Sequence, residues 1–237
     1  MTVLCTADLH LTSHPRDAYR WDLFAWLRTQ AKKTGAKHLL VLGDITDAKD
    51  RHDSALVNRL ASETAALSKI CKVIFLRGNH DGLDDKSAFF AFFQLMSTEV
   101  FFVLGDPAIF DVDGREALFL PATRNPKQDW ARYDFSKSKG YIFTHQTYDG
   151  SRAENGQELR GVPPSVFADF VGSVYSGDVH VPQKVSKNVE YVGAPYRVHF
   201  GDTFTPRVLL LRRGRAESLH FPTRSRELLE CRTLRDV

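Results

Sequence analysis

Cysteine is scarce in this sequence: Cys5, Cys71 and Cys231 are three in 237 residues, an odd number spread along the chain. That spacing excludes a disulfide framework or a zinc knot, and two of the three fall in apolar, strand-like runs, so buried free thiols are expected. No apolar stretch approaches the roughly 20 residues that a membrane span requires, and the opening MTVLCTADLHL has neither the basic start nor the apolar core of a signal peptide. The expectation is a soluble, cytoplasmic protein with no membrane partner. Linkers rich in Ser, Gly and Pro, fixed-period repeats and low-complexity tracts are missing too, so 1–237 reads as one domain. Charge of one sign is also lacking. A formal net charge of +3 permits a polyanionic partner without demanding one.

What the sequence does have is alternation. At 43% hydrophobic residues it can bury a full core, and its apolar runs each end in a polar cluster. TVLCTA gives way to DLH, HLLVL to GDITD, KVIFL to RGNHD, GYIFT to HQ, and FVGSVYS to GDVH. Apolar residues at helical spacing over Asp17 to Lys33 and over Ser54 to Lys69 predict helices between the early runs. Strand alternating with helix predicts an α/β sheet with its first three strands parallel. Later, AIFDVDGREALFLPA, turning at Asp113-Gly114, QKVSKNVEYVGAP, turning near Lys187-Asn188, and RVLLLRRGRAESLHF read as hairpins, which predicts a mixed or antiparallel second sheet. The expected architecture is α/β: two mixed β-sheets packed as a sandwich and flanked by helices.

Groups that follow separate strands of such a sheet converge beyond its carboxyl ends. Those groups are Asp8 and His10, Asp44, Asn79 and His80 with Asp81, His145, and Asp178 with His180. All are oxygen or imidazole donors and none is a thiolate, a set that suits Mn(II), Fe or Mg better than a structural zinc. Each motif alone has a plain reading as a turn, a cap or a packed histidine. The joint order D-x-H, GD, GNHD, H, G-D-x-H, each after an apolar run, points to a metal site.

TADLHL, VLGDITD, FLRGNHD, FTHQ and SGDVH resemble the five motifs of the calcineurin-like metallophosphoesterases, and YVGAPYRVHFGD resembles the segment after the last motif in their SbcD-like DNA repair nuclease branch. The resemblance implies the family's four-layer fold and two divalent metal ions, with manganese preferred and Mg, Fe or Zn as alternatives. Asp8, His10 and His180 would hold one ion, Asn79, His145 and Asp178 the other, and Asp44 would bridge them. It makes His80 the group that contacts phosphate and protonates the leaving oxygen, with Asp81 orienting His80 through its other ring nitrogen; the plain role for Asp81 is a loop cap. Asp178 departs from the usual histidine, which adds a hard oxygen donor.

The implied activity is phosphoester hydrolysis, and the branch resemblance favours a manganese-dependent nuclease with DNA as partner. Basic and aromatic residues beside the motifs, among them His52, Arg77, Tyr196 and Arg197, are expected to follow a phosphate backbone or stack on bases. A small-molecule or cyclic-nucleotide phosphodiesterase, a phosphatase, and a metal-binding scaffold without turnover are the alternatives. SbcD-like enzymes usually continue into a capping domain and a segment that binds an SbcC-type ATPase, whereas this sequence runs to Val237; no separate capping domain is expected, and an ATPase partner would have only a short contact. SAFFAFFQLM is expected to be a core helix, with a homodimer interface as the competing reading, and RSRELLECRTLRD a short terminal helix.

Overall fold

Apolar runs become strands wherever both of their faces can be covered. In the computed structural model, which describes residues 2–84, 87–112, 114–137 and 140–223, the first sheet holds β1 (Thr2–Thr6), β2 (His38–Leu42), β3 (Lys72–Leu76) and β4 (Val100–Val103) in parallel. The hairpin of β11 (Val208–Arg212) and β12 (Arg215–Leu219) joins antiparallel beside β1, giving the order β12-β11-β1-β2-β3-β4. The second sheet has the order β5-β6-β7-β8-β10-β9, from β5 (Ala108–Asp111), β6 (Glu116–Leu120), β7 (Tyr141–His145), β8 (Ser173–Gly177), β9 (Gln183–Lys184) and β10 (Val189–Tyr191). Its four central strands are parallel and β5 and β9 are antiparallel edges.

Strand residues point alternately to opposite faces, and here both faces are buried. Val3, Cys5, Leu40, Leu42, Ile74 and Leu76 of the first sheet meet Phe119, Phe143 and Tyr175 of the second in the layer between them. The opposite faces of β1, β2 and β3 pack Leu4, Leu39, Val41, Val73 and Phe75 against α1 (Asp22–Thr34) and α2 (Ser54–Ser68). Beyond the second sheet, Ile142, Val174 and Tyr191 pack on Trp130, Phe135 and Phe167. The architecture is the expected α/β sandwich.

Helix α2 begins where Asp53 accepts a hydrogen bond from Leu56 N, and α1 ends at Gly35, whose φ of 68° makes the left-handed cap. The predicted first helix differs in its opening turns: Pro15–Trp21 is 3₁₀, then α1 follows. Asp17 there accepts from Thr12 and pairs with Arg20 at 3.4 Å, which ties that turn to the loop after β1. The aromatic run forms a 3₁₀ helix, Phe89–Leu95, in which a period of three buries Phe90 and Phe93 and leaves Phe89, Phe92 and Leu95 facing outward. The three hairpins form as read. Asp113 of the first turn, the basic segment 224–236 and Cys231 lie outside the described residues, while Cys5 and Cys71 are buried free thiols. No helix among the described residues is long and apolar enough to cross a membrane.

Candidate metal centre and active cleft

Parallel strands β1, β2 and β3 end side by side, and so do β7 and β8 of the facing sheet, so the segments that leave them share one end of the sandwich. The loops after β1 and β2 are zipped together: Asp8 N donates to Gly43 O at 3.1 Å and His10 N to Asp44 O at 2.9 Å. Across the sandwich, His145 Nδ1 donates to Leu42 O at 2.7 Å. This approach needs bare backbone, since a Cβ on Gly177 would lie 2.2 Å from Leu42 O and one on Gly78 2.2 Å from Asp44 Oδ1.

The ligand candidates are held in unfavourable backbone. Asp8, His10, Asp44 and Asp178 have φ of 55°, 41°, 54° and 87°, in the left-handed region that residues with a Cβ rarely adopt. Their surroundings hold them there. Asp8 Oδ1 accepts from Asp178 N at 3.0 Å, and Asp44 Oδ1 accepts from His80 N at 2.9 Å. Buried Arg20 donates to His10 O and, at 3.0 Å, to Val198 O, while Tyr196 donates to Leu9 O.

Side chains at this end turn acceptor atoms toward one another. Because His145 Nδ1 donates to Leu42 O, Nε2 carries its lone pair in the neutral ring; it faces Asp44 Oδ1 at 3.4 Å, Asp178 Oδ1 at 3.8 Å and the Asn79 amide at 3.0 Å. The Asn79 amide also lies 3.1 and 3.2 Å from the two Asp44 oxygens, so it donates to them with nitrogen inward and adds one more acceptor with oxygen inward. Next to it, His10 Nε2 and His180 Nε2 are 3.1 Å apart, and His10 Nε2 is 3.6 Å from Asp44 Oδ2. Donor atoms of Asp8, His10 and His180 cluster within 4.8 Å of one another, as do those of Asp8, Asp44 and His145 and those of His10, Asp47 and His80. Potential ligand atoms gathered this closely fit divalent cations, and two such cations would share Asp44.

Charge tells the same story. Burial pushes the Asp8 carboxyl up, against the pull of His145 and His180. Burial also works on Asp44, yet the nearby histidines, His145 first, hold its carboxyl below the usual range. Burial favours a neutral His145, but Asp44, Asp178 and Asp8 drive it up to about 9. Without metal, protons supply the positive charge that this end demands.

His80 Nδ1 donates to Asp47 O at 2.9 Å, which leaves Nε2 for a ligand. The expectation that Asp81 orients His80 is therefore corrected: Asp81 is buried and accepts from Asp44 N, Ile45 N and Gly78 N at 2.9, 2.9 and 2.7 Å. A carboxylate offers enough lone pairs for three backbone donors, so Asp81 cradles the loops that carry Asp44 and Asn79, as a loop cap.

Three residues expected to touch substrate make bonds within the protein. Tyr196 is fully buried with its hydroxyl committed to Leu9 O. Arg77, 2% exposed, donates to Leu104 O at 2.8 Å and to Ala122 O, bracing the two sheets, and its side chain also lines the cleft beside Asn79. His52 bonds Thr46 Oγ1 at 2.8 Å and packs on Phe89 and Phe90. Arg197 is half-buried beside this segment, and Tyr19 donates to its carbonyl at 3.2 Å. Two carboxylates escaped the sequence reading. Asp47, three residues after Asp44, sits 3.4 Å from His10 Nδ1, and its place inside GDITD was the available signal. Glu154, on a surface loop, lies 2.6 Å from His180 Nδ1 and carries no local signal.

A cleft of about 270 Å³ opens beside Asn79, His145 and Asp178, with Lys49 and Arg124 also lining it. Lys49, Arg124 and neighbouring Lys127 make no ion pair among the described residues.

Comparison with known proteins accords with this geometry. Residues 1–182 match the model of the calcineurin-like phosphoesterase family. A search of curated proteins finds no relative. Among solved structures, the chain is similar to a novel archaeal phosphodiesterase at 10% identity, over 92% of this chain and 99% of that one, with a TM-score of 0.48. It is also similar to the nuclease MPE of Pseudomonas putida at 16% identity, over 92% and 87%, with a TM-score of 0.44. The family acts on phosphoesters with paired metal ions, its model spans all of the strand-end motifs through His180, and the chain belongs to the calcineurin-like phosphoesterase family.

Proposed function

We propose that this phosphoesterase is a phosphodiesterase that cleaves DNA, working with two divalent ions, of which manganese is preferred. The observation that carries the reading is the convergence of lone pairs from His10, His145, His180, Asp8 and Asp44 beside a cleft lined by Lys49 and Arg124, which make no ion pair among the described residues. Asp8, His10 and His180 would hold one ion and Asn79, His145 and Asp178 the other, with Asp44 shared. When bound, the ions supply Lewis acidity at the phosphoryl oxygens and lower the pKa of water. An oxygen and imidazole set without thiolate, including Asp178, favours manganese or magnesium over zinc.

The chain's own groups do the rest. His80, anchored through Nδ1 by Asp47 O, presents Nε2 to a phosphoryl oxygen and, when protonated, passes that proton to the leaving oxygen. Lys49 and Arg124 flank the cleft and attract the phosphates on either side of the scissile bond. Asp81 keeps the two loops in register, so that His80 and Asn79 arrive together.

A panel of single- and double-stranded oligonucleotides, cyclic nucleotides and p-nitrophenyl phosphate esters with added manganese tests the reading. Cleavage of oligonucleotides is expected. Turnover of cyclic nucleotides or small diesters alone would move the substrate to small phosphodiesters, and turnover of the monoester alone would reject phosphodiester cleavage.

A further inference from the structure

A second depression opens off the cleft. It has a volume of about 670 Å³, within the range of small-molecule sites, and shares Arg124 and Gln146 with the cleft. Its walls are largely apolar, from Pro126, Trp130, Val162, Pro163 and Val166. They are also firm. Trp130 closes the short helix α3 (Pro126–Asp129) and packs on Phe167 with ring centroids 6.0 Å apart, while Phe167 is buried against the second sheet. Val166, on the 3₁₀ turn Pro164–Phe167, is 38% exposed toward the opening. On the rim, Asn125, Gln128 and Ser165 offer both donors and acceptors. Arg124 stands where groove and cleft join and Lys127 lines the groove beside it, neither in an ion pair among the described residues.

A cationic junction between a metal-ligand cleft and an apolar, firm-walled groove suits a ligand with an anionic group joined to a flat body of mixed polarity. We propose that the groove seats the nucleoside adjoining the scissile phosphate, which makes nucleotide-bearing phosphodiesters the substrate class. The continuity of groove and cleft through Arg124 and Gln146 carries the assignment, and it rests on the phosphodiesterase reading above. The phosphate sits at the cleft, Arg124 and Lys127 neutralise it or its neighbour, and the base lies against Pro163 and Val166 with its edge toward the rim amides.

The test compares kcat/KM for thymidine 5′- and 3′-(p-nitrophenyl) phosphates with that for methyl p-nitrophenyl phosphate, in the full chain with manganese. All three release the same leaving group, so their ratio isolates the nucleoside. In Val166→Asp the ratio of at least one thymidine ester to the methyl ester is expected to fall about tenfold. A ratio unchanged for both thymidine esters overturns the proposal. Val166→Gln repeats the comparison should the aspartate variant fail to fold. If the parent protein hydrolyses none of the three, the phosphodiesterase reading fails on its own, and the groove is then read by calorimetry with thymidine 5′-monophosphate against inorganic phosphate. A preference for the nucleotide that drops about tenfold in the variant supports the groove. No preference in the parent, or one the variant leaves intact, overturns it.

Discussion

Oε1 of Glu154 lies 2.6 Å from Nδ1 of His180, and Gln183 fixes the intervening loop with two hydrogen bonds to the backbone of Arg152, at 2.8 and 2.7 Å. A carboxylate on the far nitrogen of a metal-ligating histidine sets the tautomer and makes the ligating nitrogen more basic. Glu154→Gln should weaken manganese binding at one of the two sites by about tenfold and leave the other unchanged. Isothermal titration that resolves the two sites checks this. Equal weakening at both would place Glu154 outside His180's support.

The same pair makes a pH prediction for the metal-free protein. The hydrogen bond from His180 holds the Glu154 carboxyl down at about 2, against an ordinary 4.5. Burial works to lower His180, yet Glu154 and Asp8 raise it above its ordinary 6.5. Glu154's contribution is therefore present above pH 4.5 and lost as pH falls through about 2, while that of His180 is present below pH 6.5 and lost as pH rises beyond it. Melts in EDTA should show the largest gap between parent and Glu154→Gln between those two values. A gap that does not vary with pH would refute the pairing.

Metal binding must displace the protons that balance the site. With His145 at about 9 in the free protein, manganese binding at pH 7.5 should release about one proton or more. Calorimetry in buffers of different ionisation enthalpy measures the number. Chelation should lower the melting temperature, since a metal that binds only the folded protein stabilises it by mass action.

Asp81 and His80 should separate cleanly under mutation. Asp81→Ala strands three buried backbone donors and should cost about 3 kcal/mol of stability, together with metal affinity. His80→Asn should keep stability and metals and lose turnover. Denaturant unfolding beside metal analysis distinguishes them, and an Asp81→Ala protein of unchanged stability would sink the cradle.

Tyr196→Phe tests positioning against contact. Losing the hydroxyl leaves Leu9 O unpartnered beside His10, so kcat should fall several-fold with the oligonucleotide KM unchanged. A rise in KM alone would return Tyr196 to the substrate.

Much of this was legible because the strand ends do the positioning. Each motif follows an apolar run, and the parallel order of β1, β2, β3 and of β7, β8 brings the motifs together without any loop needing to be foreseen. The supporting groups were not legible. Glu154 reaches His180 through a loop fold, and Tyr196 and Arg20 act on carbonyls of residues 9 and 10, contacts that no periodicity encodes. Basic and aromatic type alone did not show that Tyr196 and His52 are held by bonds within the protein, because long side chains beside a motif serve as easily to brace its loops as to meet a ligand.

The left-handed backbone at Asp8, His10, Asp44 and Asp178 also sets how this protein would decay if selection for catalysis lapsed. Each of these residues carries roughly 1 kcal/mol or more of conformational cost that a glycine would not. A change to glycine there deletes a candidate ligand and at the same time relaxes the chain. The four side chains are thus held at the expense of the fold, and glycine at any of them is expected to raise the melting temperature of the metal-free protein.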